Sequence, residues 1–186
     1  MPGVILVVAA TAREAELVDG RAEALVCGIG PVEAAVTTAR ALAEARPDAI
    51  LQIGIAGAQT LPTGAVALGS EAVYCDVLDP ASVLPRVERV SADGVLLDRA
   101  RLALPDAHVV PIATAGRVGG GSGCEVEAME GFAVLRAAQL AGVPALEVRS
   151  VSNAVAEADR GRWWIDDALA ALEDALRRLL EGLADA

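Results

Sequence analysis

Glu127-Ala128-Met129-Glu130-Gly131 opens an apolar segment with helical spacing, and Arg149-Ser150-Val151-Ser152-Asn153 closes an apolar segment of strand length. The first predicts a helix over Met129 to Leu140, stopped by Gly142 and Pro144; the second belongs to a strand over Ala145 to Ser152. An apolar helix joined by a short turn to a hydrophobic strand is the repeating unit of a sheet covered on its faces by helices. Glu130, Arg149 and Asn153 stand out inside these oily segments. A buried polar group left unsatisfied costs about 1–3 kcal/mol, so residues of this kind are the first candidates for a working site.

The same alternation extends outward in both directions. Val4 to Ala10 is a continuous apolar run, and Thr11 after it reads as the N-cap of a short helix over Ala12 to Val18. Ala24 to Cys27 predicts a second strand, and Pro31 suits the first turn of a helix running to about Ala45, where its missing N–H is not needed. Ala49 to Ile53 reads as the third strand, ending in the loop Gly54-Ile55-Ala56-Gly57, whose small residues let a flat ligand approach the backbone. Val66 to Val77 and His108 to Ala113 predict further strands. Leu78 to Pro105 carries mixed signals with a short helix over Leu96 to Leu104, and Gly116 to Gly123 is a glycine-rich connector. The last helix spans Trp163 to Leu183, with Ile165, Leu169, Leu172, Leu176 and Leu179 recurring at helical spacing. The expected architecture is a single three-layer α/β domain over residues 1–186 with a mixed, mostly parallel central sheet. Ligands in such sheets gather at the carboxyl ends of the strands.

Composition narrows the function. Hydrophobic residues make up 54% of the 186-residue chain but aromatics only 2%, so Ala, Val, Leu and Ile must build the core. A formal net charge of −11 argues against nucleic-acid and anionic-membrane partners, which call for basic patches. No apolar run is long enough to predict a membrane span, and the first strand lacks the basic flank of a signal peptide. Cys27, Cys75 and Cys124 are widely spaced and read as reduced thiols of a cytoplasmic protein. His108 is the only histidine, which leaves a Ser-His-Asp triad or a zinc site without its parts. No metal and no cofactor are expected, and the chemistry falls to carboxylates, amides and backbone. Gly28-Ile29-Gly30 has no third glycine at Glu33, and the Gly116 to Gly123 connector has no Gly-Lys-Ser/Thr ending, so neither is a nucleotide loop.

Several motifs in order resemble the nucleoside phosphorylase/nucleosidase superfamily, and within it the futalosine hydrolase branch. They are Val7-Val8-Ala9-Ala10-Thr11-Ala12-Arg13-Glu14-Ala15, Gly28-Ile29-Gly30-Pro31, Gly54-Ile55-Ala56-Gly57-Ala58, Val126-Glu127-Ala128-Met129-Glu130-Gly131, and Glu147-Val148-Arg149-Ser150-Val151-Ser152-Asn153. The resemblance implies hydrolysis of the N-glycosidic bond of a purine nucleoside, futalosine, on a route to menaquinone. It implies that Glu14 activates water, Glu130 holds the ribose hydroxyls, Met129 packs on the sugar and Asn153 faces the purine. Ala56, Gly57, Arg149 and Ser152 would complete the binding surface, with Phe132 or Tyr74 available for stacking. Phosphorylases of the superfamily keep an arginine just before the Gly-x-x-Gly loop; this chain has Gln52 there, which favours water as nucleophile. A neighbouring subunit commonly completes such sites, so a homodimer or higher homo-oligomer is expected.

These types suit the chemistry. Glycosidic cleavage passes through an oxocarbenium-like sugar that a carboxylate stabilises, and a second carboxylate can take the proton of water. An amide offers both a donor and an acceptor to a 6-oxopurine edge. Each residue also has a structural alternative. Glu14 and Glu130 could serve their helix dipoles, Asn153 could cap a strand end, and Glu147 and Arg149 could form an ion pair within one strand face. Trp163-Trp164 reads as an anchor for the last helix, and the glycine connector as a flexible surface loop. Two rival functions remain: another nucleosidase or phosphorylase of the superfamily, or a non-catalytic member that binds a nucleoside.

Overall fold

The computed structural model describes residues 3–77, 81, 83, 85–119 and 121–184. Part of the mixed stretch after Val77, and Gly120 of the glycine connector, therefore lie outside the described residues. Among the described residues, eight strands form one sheet: β1 (Ile5–Ala9), β2 (Glu23–Val26), β3 (Ala49–Ala58), β4 (Val66–Tyr74), β5 (Arg89–Ser91), β6 (His108–Thr114), β7 (Val126–Ala128) and β8 (Ala145–Ala154). The helices are α1 (Ala12–Ala15), α2 (Pro31–Glu44), α3 (Gly94–Ala103), α4 (Gly131–Ala141) and α5 (Ile165–Ala184).

The central strands are parallel, as expected for apolar runs joined by helices: β1 pairs with β2 and β3, and β3 with β8. The sheet then curls. β8 pairs antiparallel with β4, β4 parallel with β6, β6 parallel with β7, and β7 returns antiparallel to the end of β3. Strands β3, β8, β4, β6 and β7 thus close on themselves. Ala56, Ala58, Ala67, Ile112, Val126, Ala128 and Val151 pack together among them. This closure is filled by alanine and β-branched side chains and, among the described residues, holds no ring.

Two further cores cover the open part of the sheet. On one face, Leu172, Leu176 and Leu179 of α5 and Leu96 and Ala100 of α3 pack on Val7, Leu51 and Leu146. On the other, Ala34 of α2 and Val134, Leu135 and Ala138 of α4 pack on Val8, Ile50 and Ala145. The three-layer α/β reading therefore holds.

Several boundaries differ from those read in the sequence. The Gly54–Gly57 segment is strand rather than loop, because β8 pairs with β3 as far as Ala58, across a bulge between Ala56 and Gly57. Cross-strand pairing there outweighs the local preference of glycine to break a strand. The short strands β5 and β7 carry too few residues to show a period. Helix α4 begins at Gly131, with Glu130 as its N-cap and Met129 before it. Helix α1 is a single turn followed by a 3₁₀ turn over Glu16–Val18.

Candidate active site

The carboxyl ends of β1, β3, β7 and β8 surround one cavity of about 340 Å³. Glu14, Ala56, Gly57, Met129, Glu130, Arg149, Ser152 and Asn153, eight of the nine residues singled out in the sequence, line it. Phe132 does not. It is the second residue of α4, stacks on Tyr74 with ring centroids 5.2 Å apart, and packs against the α2–α4 core. Neither ring of that pair lines the cavity.

Glu14 is held by local structure. Thr11 caps α1, and the backbone N–H and Oγ of Thr11 both donate to Glu14 Oε2, at 3.0 and 2.8 Å. This is a capping box, with Glu14 at the third helical position reaching back to the cap. Its other oxygen, Oε1, accepts from the N–H of Ile55 at 3.1 Å. The helix-stabilising alternative is therefore real, and it orients the carboxylate at the cavity wall. Glu130 is fixed from both sides. Oε1 accepts from the N–H of Gly30 at 3.0 Å, and Oε2 faces Arg149 Nη2 at 3.3 Å.

Arg149 lies between the two carboxylates. Its side chain is 1% exposed, Nε donates to Glu147 Oε1 at 2.8 Å, and Nη1 points at the carbonyl of Ile55. Burial disfavours the charged guanidinium, but Glu147, Glu130 and Glu14 outweigh that cost and hold its pKa above the ordinary arginine value. The ion pair between Glu147 and Arg149 considered from the sequence is present. Burial pushes the Glu147 carboxyl up, against the pull of Arg149. Nearby Cys27 is pushed up to about 12 by burial and by the charge of Glu130, so its thiol stays protonated and is no nucleophile.

Asn153 ends the buried run of β8. Its Oδ1 accepts from Ser152 Oγ at 2.8 Å and its Nδ2 donates to the carbonyl of Ala154 at 2.8 Å. One N–H and one lone pair of the amide remain, the donor and acceptor a purine edge requires. Gln52 is fully buried on β3 and absent from the cavity wall.

Three lining elements were not singled out as site residues in the sequence. Glu127 of β7 is buried at the cavity and accepts from the N–H of Ser122. Trp163 turns its ring to the cavity, with the Arg160 guanidinium 5.5 Å from the ring centre, while its Nε1 donates to the carbonyl of Glu157. Residues 117–119 of the glycine connector form a wall rather than a detached surface loop. A hint for Glu127 lay in Val-Glu-Ala, an acidic residue between two apolar ones. His108 starts β6 on the exposed surface, away from the cavity. Among the described residues, no cluster of histidine, cysteine, aspartate and glutamate is placed to hold a metal ion, and no helix is long and apolar enough to cross a membrane.

Residues 11–184 match the family model of the phosphorylase superfamily. A futalosine hydrolase of Streptomyces coelicolor is 35% identical, the match covering 83% of this chain and 77% of that protein. Among solved structures, futalosine hydrolase of Helicobacter pylori superposes with a TM-score of 0.85 at 16% identity, covering 97% of this chain and 98% of its own. The S-adenosylhomocysteine nucleosidase of Streptococcus pyogenes, in complex with 5-methylthiotubericidin, superposes with a TM-score of 0.85 at 22% identity and 96% coverage of both chains.

Proposed function

This chain belongs to the phosphorylase superfamily, and on that premise we propose that it hydrolyses futalosine to hypoxanthine and dehypoxanthine futalosine, on the futalosine route to menaquinone. It is an N-glycosyl hydrolase, a nucleosidase, in keeping with its 35%-identical relative. The observation that carries the reading is the grouping of Glu14, Glu130 and Asn153 around one cavity, with Arg149 between the two carboxylates.

Each group has a role in the reaction. Glu130 accepts hydrogen bonds from the ribose 2′- and 3′-hydroxyls, and its charge favours the positive sugar of the transition state. Glu14 takes a proton from water as the water oxygen bonds to C1′. The C1′–N9 electron pair leaves with the purine, Asn153 supports the departing base through its spare N–H and lone pair, and solvent water supplies the proton that makes it hypoxanthine. Met129 packs beneath the sugar, and Ala56, Gly57 and Ser152 leave a flat space for the base. Gln52 supports water over phosphate as nucleophile: it is neutral, buried and off the cavity wall.

The protein is proposed to act in the cytoplasm, consistent with three free thiols. It is also proposed to act as a homo-oligomer. Exposed Ile29 at the cavity rim and exposed Val32 and Val36 on α2 supply an apolar face for a second copy.

The test is incubation of the protein with futalosine in phosphate-free buffer, with hypoxanthine followed by chromatography. Release of hypoxanthine without phosphate is expected. Strict dependence on phosphate with a sugar 1-phosphate as product, or cleavage of other purine nucleosides but not futalosine, would overturn the assignment.

A further inference from the structure

Glu147 contributes nothing to the cavity wall, yet it is a fully buried carboxylate. It sits on β8 two residues before Arg149 and on the same face. Only one of its oxygens is used: Oε1 accepts from Arg149 Nε, while Oε2 has no hydrogen-bond partner among the described residues. The amide of Gln52, its register partner on β3, is likewise without partners. Burying a carboxylate with half its bonds unmade is costly, and a hydrophobic side chain of similar size would cost less. Stability alone does not account for it.

Its geometry does. The carboxyl is packed against Gly131, the first residue of α4, where a Cβ would lie 2.0 Å from Oε2 and 2.2 Å from Oε1. From that seat it holds the Nε edge of Arg149, leaving Nη1 directed to Ile55 and Nη2 to a single oxygen of Glu130. A guanidinium released at Nε is free to turn and grip a carboxylate with two parallel bonds, the arrangement it prefers. Glu130 is the carboxylate within reach, and its oxygens would then be taken by arginine.

We propose that Glu147 is a positioning residue: by pinning Nε of Arg149 it prevents the guanidinium from closing on Glu130 and so keeps that carboxylate open to the ribose hydroxyls. This rests on the assignment of Glu130 to the ribose. Glu147 therefore acts on ribose selectivity, and a residue that merely supported the fold would not.

The experiment compares kcat/KM for futalosine and its 2′-deoxy analogue in wild type, Glu130→Gln, Glu147→Ala, Glu147→Gln and Gly131→Ala, with folding checked by circular dichroism. Wild type should prefer the ribonucleoside by about tenfold or more, and Glu130→Gln should lose that preference. Glu147→Ala should lose most of it as well, through a fall of about tenfold on the ribonucleoside with little change on the deoxy analogue. Glu147→Gln retains an acceptor for Nε–H and should restore both values to within about threefold of wild type. Should Glu147→Ala fail to fold, Gly131→Ala displaces the same carboxyl without removing it, at a position whose backbone accepts alanine, and should show the same loss of preference. The inference is overturned if the folded Glu147→Ala or Gly131→Ala variants slow both nucleosides equally, or neither. A wild type without ribose preference, or a Glu130→Gln variant that keeps it, would instead remove the assignment of Glu130.

Discussion

Gly54→Ala adds one methyl group beneath the charged groups of the site. Gly54 is the register partner of Arg149 across the β3–β8 pair, and the guanidinium folds over it. A Cβ built there would lie 2.3 Å from Arg149 Nη1 and 2.8 Å from Glu14 Oε1. Ordinary contact distances are about 3.5 Å or more, so the guanidinium must retreat by about 1 Å and the carboxylate by somewhat less. Gly54 has no left-handed backbone to lose, which confines the change to that displacement. Overpacking of this kind costs about 1–3 kcal/mol of stability, a fall in Tm of about 3–10 °C for a domain of this size. A displacement of about 1 Å at reacting groups can cost about a hundredfold in rate. Steady-state hydrolysis at 25 °C, well below the melting transition, should therefore show kcat/KM down by about a hundredfold in a folded protein. Gly94→Ala is the control: it opens α3 with no heavy atom within 4 Å of the added carbon, so activity should not change. A folded Gly54→Ala variant within about threefold of wild type would mean that the juxtaposition of Arg149 and Glu14 does not matter to the reaction.

Other outcomes follow from the same site. Glu14→Gln and Glu130→Gln should each slow turnover by about 10²–10⁴-fold, read on folded protein at 25 °C because the amide oxygen keeps only one side of each bond set while its NH2 faces a donor, the Thr11 or Ile55 N–H for Glu14 and the Arg149 guanidinium for Glu130; near-full activity in either would refute its role. Asn153→Asp should shift the ratio of kcat/KM for futalosine and its 6-amino analogue toward the amino compound by about tenfold, because a carboxylate accepts from an amino group and repels a 6-oxo edge; an unchanged ratio means Asn153 does not read the base. Cys27 should resist iodoacetamide at pH 8 until the protein unfolds, which mass spectrometry of the modified peptides would show. Its thiol holds a proton more tightly folded than unfolded, so its contribution to stability falls as pH rises from about 9 toward 12. Replacing Cys27 with alanine should make alkaline unfolding less steep, and an unaltered pH dependence would count against the assigned shift.

Much of the layering was legible because long elements state their period. The leucines of α5 show which face is buried, and the continuous apolar run of β1 marks a strand covered on both sides, before any partner is known. The Thr11 cap was legible too, since capping is local chemistry. What could not be read depends on pairing at a distance. β3 runs through Gly54 and Gly57 because β8 lies beside it, and β7 exists because β6 and the end of β3 receive it. Phe132 was expected at the cavity, but the helix starts after Glu130, so its ring meets Tyr74 instead. Trp163 was read as an anchor, and only the chain path through Arg160–Arg162 turns its ring inward.

The alanine-filled closure of five strands bears on how the enzyme could be re-engineered. An interior of alanine and β-branched side chains can neither shrink much nor accept larger groups, so the strands behave as a fixed jig on which the polar groups of the cavity wall are mounted. A library aimed at a different nucleoside would waste its diversity there. The segments to vary are those that reach the cavity from outside the jig, residues 117–119 and the turn from Arg160 to Trp163. Their side chains can change in size and charge while the machinery for cleaving the bond stays where it is.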